Sequence, residues 1–335
     1  MWVQHPFDPV LAELYTETVE LYRELSAADV GFQLASAPAG LLYLSEEEAA
    51  VRGVDAALGE LFPDLVREVV SGEYLQATEP GVAPDLWACR VEIGYPVQPA
   101  GSTYAYATLA ERSGAQIRLG RGATVEMDGD RAAGVLVDGQ RIEADAVLVA
   151  AGPWTPEIVD RSGRWRPIRH RWGVVVEIEL ATGPSHVLEE ADIAAAIGAA
   201  PANRSLAFDP DEALEGFSLV PLAGLASVGS TFLAREPDPA AWIERLLQRA
   251  SRFGPSVADA PIRGTRVCAR PQSLDGRPLV GAVPERRGLF ICAGHGAWGI
   301  STGPASARLV VDEILGRDPL IPSELDPARF GPVAS

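Results

Sequence analysis

From Asp8 to Ala27 the apolar residues Val10, Leu11, Leu14, Val19, Leu21 and Leu25 recur at the spacing of one helix face. Further helices are expected over Glu46 to Gly59, over Ser102 to Ser113 with Gly114 ending it, and over Pro239 to Phe253. Proline- and glycine-rich stretches at Ala77 to Pro84 and Ile93 to Gly101 punctuate the path between them. Alternating or continuous apolar runs predict strands at Gln116 to Val125, Gly134 to Val137, Arg141 to Ala150 and Ile168 to Leu180. In the last of these Val174, Val176, Ile178 and Leu180 alternate with mostly polar neighbours. Strands and helices interleave without repeats, which predicts an α/β architecture with a second, mixed sheet.

One stretch departs from simple patterning. Gly288 to Ile314 holds a G-x-G-x-x-G (Gly294, Gly296, Gly299) between an apolar strand and a helix. A dinucleotide fingerprint would also need a following strand whose acidic end holds a ribose. The residues after the helix, GRDPLIPSELDPARFGPVAS, contain no strand-like run. The motif is therefore expected to serve differently, by letting backbone approach a flat ligand and by aiming helix N-terminal N–H groups at negative charge.

Around this stretch lie an Arg270-Pro271 step, an Asp275-Gly276-x-Pro278 and the turn G-H-G-x-x-G-I from Gly294 to Ile300. Upstream, Ala144 to Ile158 reads ADAVLVAAGPWTPEI and Phe217 to Thr231 reads FSLVPLAGLASVGST. In order and spacing these three segments resemble the D-amino acid oxidase and glycine oxidase family of FAD-dependent oxidoreductases. The resemblance covers most of the chain. It implies two interleaved domains: a Rossmann-like FAD-binding domain from residues 1–30, 99–164 and 266–320, and a mixed-sheet substrate domain from 31–98 and 165–265. The family opens with a strand, a G-x-G-x-x-G turn, a helix and an acid-ended strand, whereas Met1 to Pro9 matches the loop beyond them. The FAD-binding domain is thus expected to be N-terminally truncated, without its pyrophosphate cradle.

The resemblance assigns roles residue by residue. Arg270 would hold a substrate carboxylate, which suits a planar fork of donors. Its bland alternative is a strand-end arginine paired to Asp275. Val125, Ala151, Gly152 and Trp154 would lie along the adenosine side of FAD. Gly294, His295, Gly296, Gly299 and Ile300 would lie near the flavin, with backbone amides facing charge that develops on reduction. Cys268, two residues before Arg270, has the spacing of the covalent flavin attachment in related sarcosine oxidases, and cysteine is equally a common small buried residue. The implied reaction oxidises the C–N bond of an amino acid or N-substituted amino acid by hydride transfer, giving an imine and, with oxygen, hydrogen peroxide. The alternative is an FAD-free scaffold, or an incomplete subunit whose missing FAD-binding unit a partner supplies. A homo-oligomer is equally compatible with the resemblance.

Composition narrows the choice. All 28 basic residues are arginine, so lysine-dependent Schiff-base and P-loop chemistry is excluded. A net charge of −18 disfavours nucleic acid and anionic membrane surfaces as partners. The longest apolar runs fall short of the ~20 residues of a membrane helix, and no signal pattern opens the chain, which predicts a cytoplasmic protein. Cys89, Cys268 and Cys292 lack metal-ligand spacing and the four histidines do not cluster, so no metal site is expected.

Overall fold

A computed structural model describes residues 2–3, 6–191, 213–222, 224–317 and 319–333. Residues 192–212, inside the expected substrate domain, lie outside the described residues. The elements run β1 (Trp2–Val3), α1 (Pro9–Ala27), β2 (Leu41–Ser45), α2 (Glu48–Leu61), β3 (Arg67–Ser71), α3 (Gly72–Thr78), β4 (Trp87–Val91), β5 (Tyr95–Pro96) and α4 (Pro99–Arg112). They continue as β6 (Ala123–Asp128), β7 (Arg131–Val137), β8 (Gln140–Glu143), β9 (Val147–Val149), α5 (Thr155–Val159), β10 (Ile168–Glu179), β11 (Val187–Glu190), β12 (Leu214–Leu222) and β13 (Leu225–Phe232). The last are α6 (Ala240–Ser251), β14 (Ile262–Ser273), β15 (Leu279–Ala282), β16 (Leu289–Ala293) and α7 (Gly299–Ile314). Among the described residues no helix is long and apolar enough to cross a membrane.

The chain divides into two compact units, Met1–Ala12 with Gln33–Gly101 and Trp172–Ala269, and Glu13–Phe32 with Ser102–Arg171 and Arg270–Ser335. The first is built on an eight-stranded mixed sheet in the order β14-β10-β13-β12-β11-β2-β4-β3, with β2 and β11 parallel at its centre. Strand β2 reads LLYLS and is buried at every position, as expected of a strand covered on both faces. Successive β2 residues divide between two cores. Leu42 and Leu44 pack with Leu246 and Ala250 of α6, while Leu41 and Tyr43 pack with Val51, Val54 and Leu58 of α2. Strand period two thus aims alternate residues at helices on opposite faces. A buried ion pair fastens α6 to this sheet: Arg249 donates from Nε and NH2 to the two oxygens of Glu190, at 2.8 and 2.7 Å.

The second unit holds two three-stranded sheets, β15-β16-β9 and β6-β7-β8. Val147, Val149, Leu289, Ile291 and Ala293 form its core, against which Val125 and Val135 pack from the other sheet.

Two expected strands differ in the structure. Residues 116–122 form no strand, and β6 begins only at Ala123. Ile117 and Leu119 are exposed and Gly120 takes φ +68°, so the alternation has no face to bury and the backbone turns. The expected strand Arg141 to Ala150 is two: β8 pairs antiparallel with β7, and β9 pairs parallel with β16. The third helix starts at Pro99 rather than Ser102, proline suiting a first helical position where no N–H is required.

Candidate functional site

Two parallel strands end together in the second unit. β9 and β16 pair in parallel, Val147 beside Leu289 through Val149 beside Ile291, so their carboxyl ends emerge on one side. Each then enters a glycine with positive φ, Gly152 at +57° and Gly294 at +87°, followed after β16 by Gly296 at +56°. Both continue through a one-turn 3-10 segment, Gly152–Trp154 or Gly296–Trp298, into α5 or α7. A residue with a Cβ takes such φ values only under strain, which is why glycine occupies these turns. In open α/β sheets the crevice beyond the carboxyl ends of parallel strands is where ligands bind.

The two turns differ in how they are filled. A Cβ added at Gly152 would meet no atom within 4 Å, so backbone there faces open space. A Cβ at Gly294 would lie 3.1 Å from Leu279 Cδ1 and 3.4 Å from Ser273 Cβ, and one at Gly296 would strike Gln272 Oε1 at 2.6 Å. The second turn is therefore pressed against the end of β14, where Gln272 also forms an isolated antiparallel bridge with His295.

His295 is only 8 % exposed, and its Nε2 is buried without a hydrogen-bond partner. Ser273 Oγ, beside the same turn, is likewise buried and unpartnered. Burial pulls the imidazole pKa down to about 4, so the ring is neutral at neutral pH. Buried polar atoms almost always find partners, and two orphans at one turn are what a site for a polar ligand would leave. Arg270, 9 % exposed, lies two residues before Gln272 on β14, so the two side chains project from the same face of the strand.

Helix α7 begins at this turn and contains Pro304, which lacks an N–H and so cannot donate to the Ile300 carbonyl one turn back. Two side chains of α1 compensate. Tyr22 OH donates to Ile300 O at 3.1 Å, and Ala305 N donates to Thr18 Oγ1 at 3.3 Å. Arg308 adds an ion pair with Glu17 at 3.2 Å. The N-terminal half of α7 is thereby held from the side rather than by its own ladder alone.

The structure thus brings Gly294, His295, Gly296, Gly299 and Ile300 into one turn, with Ala151 and Gly152 at the end of the adjoining strand and Arg270 on the strand whose end abuts the turn. Val125 lies on the antiparallel sheet opposite Val135 and packs against the core at the parallel strands. Trp154 is 52 % exposed and meets His170 edge-on, with centroids 5.7 Å apart. Cys268 is exposed on β14. Asp275 is gripped by Arg329, Nε to Oδ2 at 2.7 Å and NH2 to Oδ1 at 3.2 Å. Arg329 also donates to the carbonyls of Arg277 and Pro278, so the Asp-Gly-x-Pro segment serves as a clasp for the 3-10 turn Pro327–Phe330. Sequence reading overlooked Gln272 and Ser273. The signal for Gln272 was period two from Arg270 on one strand, whereas Ser273, on the opposite face, had none.

A strand-turn-helix crevice with glycine-shaped backbone and orphaned polar atoms suits a flat, polar cofactor, and comparison with known proteins agrees. Residues 2–313 match the DAO family, described as FAD dependent oxidoreductase, and the chain belongs to it. It is 27 % identical over 321 residues to a D-amino acid dehydrogenase of Xylella fastidiosa, covering 92 % of this chain and 68 % of the relative. It is 30 % identical over 207 residues to the glycine oxidase of Pseudomonas aeruginosa, covering 61 % of this chain and 50 % of that one. The chain thus spans from half to about two thirds of the length of these curated relatives. Among solved structures it superposes on iminodiacetate oxidase from Chelativorans sp. BNC1 with a TM-score of 0.78 at 23 % identity, covering 97 % of this chain and 86 % of that one. At that identity the likeness shows the fold, a mixed α/β architecture with a large mixed sheet.

Proposed function

We propose that this chain acts on the C–N bond of an amino acid or N-substituted amino acid, oxidising it to an imine, with FAD held by the second unit. The observation that carries the reading is the buried, partnerless Nε2 of His295 at the paired glycine ends of β9 and β16. Among the described residues none satisfies that atom, which leaves it to a bound group or a water. FAD, when bound, supplies the acceptor for the two electrons that leave the substrate.

The chain's own residues supply binding and orientation. Arg270 presents a guanidinium fork that matches a carboxylate two-for-two and so fixes where the substrate's Cα–H points. His295, neutral in the folded protein, offers a hydrogen bond without adding a charge. The backbone N–H groups in the first turn of α7, with the positive end of the helix dipole, favour negative charge beside them. Gly152 leaves its backbone open to close approach. A substrate bound with its amine neutral can lose two electrons and two protons to become an imine, which water hydrolyses to a 2-oxo acid and an amine. With oxygen as final acceptor the second product is hydrogen peroxide. The D-amino acid dehydrogenase and glycine oxidase among the relatives support the amino-acid class of substrate.

The test is to incubate the purified protein with FAD, remove the excess, and record visible absorption before and after anaerobic addition of a panel of amino acids and N-substituted glycines. Retained flavin absorption, bleached by a carboxylate-bearing amine, is expected. Arg270→Ala should keep the flavin and lose about 30-fold to several-thousand-fold in kcat/KM, the order of 2–5 kcal/mol set by truncating one partner of a buried charged pair. Unchanged kinetics would remove Arg270 from the site, and flavin that no amine bleaches would overturn the substrate class.

A further inference from the structure

The first unit contains a cavity of about 520 Å³ that the proposed reaction does not use. It opens among the end of α3, the segment that follows β10, and the stretch from Gly254 to Pro261 that leads into β14. Its floor is aliphatic, from Leu188 of β11, Leu219 of β12 and Val257. Its size falls within the range of about 300–1,000 Å³ typical of small-molecule pockets, which are mostly apolar with a few placed polar groups.

The polar groups here share one sign. Glu79, Glu179 and Asp259 line the cavity, and among the described residues no arginine or histidine does. Glu179 is already engaged by Arg263, which donates to it from Nε at 2.6 Å and also from NH2. Glu79 is the distinctive member. It is only 3 % exposed, and its Oε2 accepts from Ser185 N and Oγ at 2.8 Å each and from His186 N at 3.1 Å, with His186 Nδ1 at 3.0 Å. Burial alone would raise its pKa, and the hydrogen bonds from His186 and Ser185 outweigh that and lower it. All of these hydrogen bonds end on Oε2, so one oxygen locks the carboxylate in place and Oε1 keeps its full acceptor capacity. A fixed anion at the edge of an apolar chamber selects a cation that carries an apolar body.

We propose that this cavity is a binding site for an organic ammonium ion, the ammonium donating to Glu79 Oε1 and an aliphatic body lying on Leu188, Leu219 and Val257. The site shares no residue with the glycine turn or with Arg270, and it requires no carboxylate on its ligand.

Isothermal titration with hexylammonium, with neutral hexanol and anionic hexanoate as matched probes, tests the proposal. Hexylammonium should bind saturably, at least tenfold more tightly than hexanol, and hexanoate should not bind. Two variants fix the location. Glu79→Gln should weaken hexylammonium at least tenfold while leaving hexanol unchanged. Because Glu79 also anchors the 185–186 backbone, Ala260→Trp serves as the second variant: it fills the chamber without touching those hydrogen bonds and should abolish binding of both probes. Absence of saturable hexylammonium binding to the unmodified protein overturns the proposal. So does binding that survives both substitutions, and equal affinity for hexanol and hexylammonium overturns the ammonium preference.

Discussion

His295 holds its neutral form against protons that the unfolded chain would take up. With its folded pKa near 4 and an ordinary value near 6.5, the unfolded chain binds the additional proton between those limits. Stability therefore falls as pH drops through this window, by about 2 kcal/mol at pH 5, and this contribution is flat above about pH 7. Urea unfolding at about pH 7.5 and about pH 5 measures it. His295→Asn should remove most of the difference; an equal loss in the variant would assign it to other groups. The position of His295 in the glycine turn was legible from sequence, since the turn residues are contiguous. Its burial and its orphaned Nε2 were not, because they arise where β14 abuts the turn, and no local pattern encodes that approach. Asp275 shows the same limit, because a partner that grips it, Arg329, lies 54 residues away.

At the scale of elements, α7 and α1 form a mutually dependent pair. Pro304 leaves the Ile300 carbonyl without its helical donor, and Tyr22 OH takes that place. Tyr22→Phe should cost about 1–2 kcal/mol, the range for stranding a part-buried acceptor. In a Pro304→Ala background, where the helix supplies its own N–H, the same substitution should cost markedly less, and a double-mutant cycle reads the difference. Additive effects would show that the Tyr22 hydroxyl does not act through the Ile300 carbonyl, leaving its hydrogen bond with Ser102 as the source of the loss. Periodicity exposed α1 and α6 because an amphipathic face is written in consecutive turns. It failed over residues 116–122, where alternation exists but nothing covers it. It merged β8 with β9, because an apolar run does not say which partner each half will pair with.

For the whole molecule, the interleaving of strands and helices was enough to anticipate an α/β fold with a mixed sheet, though not that sheet's eight strands. Each unit has its own core, one pair lining the two faces of the eight-stranded sheet and one at the parallel strand ends. Damage should therefore register locally. Arg249→Ala leaves the Glu190 carboxylate buried without its bidentate partner and should cost about 3 kcal/mol. Hydrogen exchange should accelerate first in β11, β12 and α6, while amides of β9 and β16 change least. Acceleration spread evenly over both units would mean that the molecule opens as one. The cavity beside Glu79 could not have been read from the sequence, since its walls come from four separated segments.

The contact between Tyr22 and Ile300 joins residues 278 positions apart. During synthesis at about 5–20 residues per second, α1 emerges some tens of seconds before the carbonyl it must satisfy exists. Over that interval the buried face of α1 has no α7 to cover it, and α7 in turn is born with a gap that only α1 fills. The glycine turn at the start of α7 is therefore completed late, by the meeting of an early helix and one made long after it.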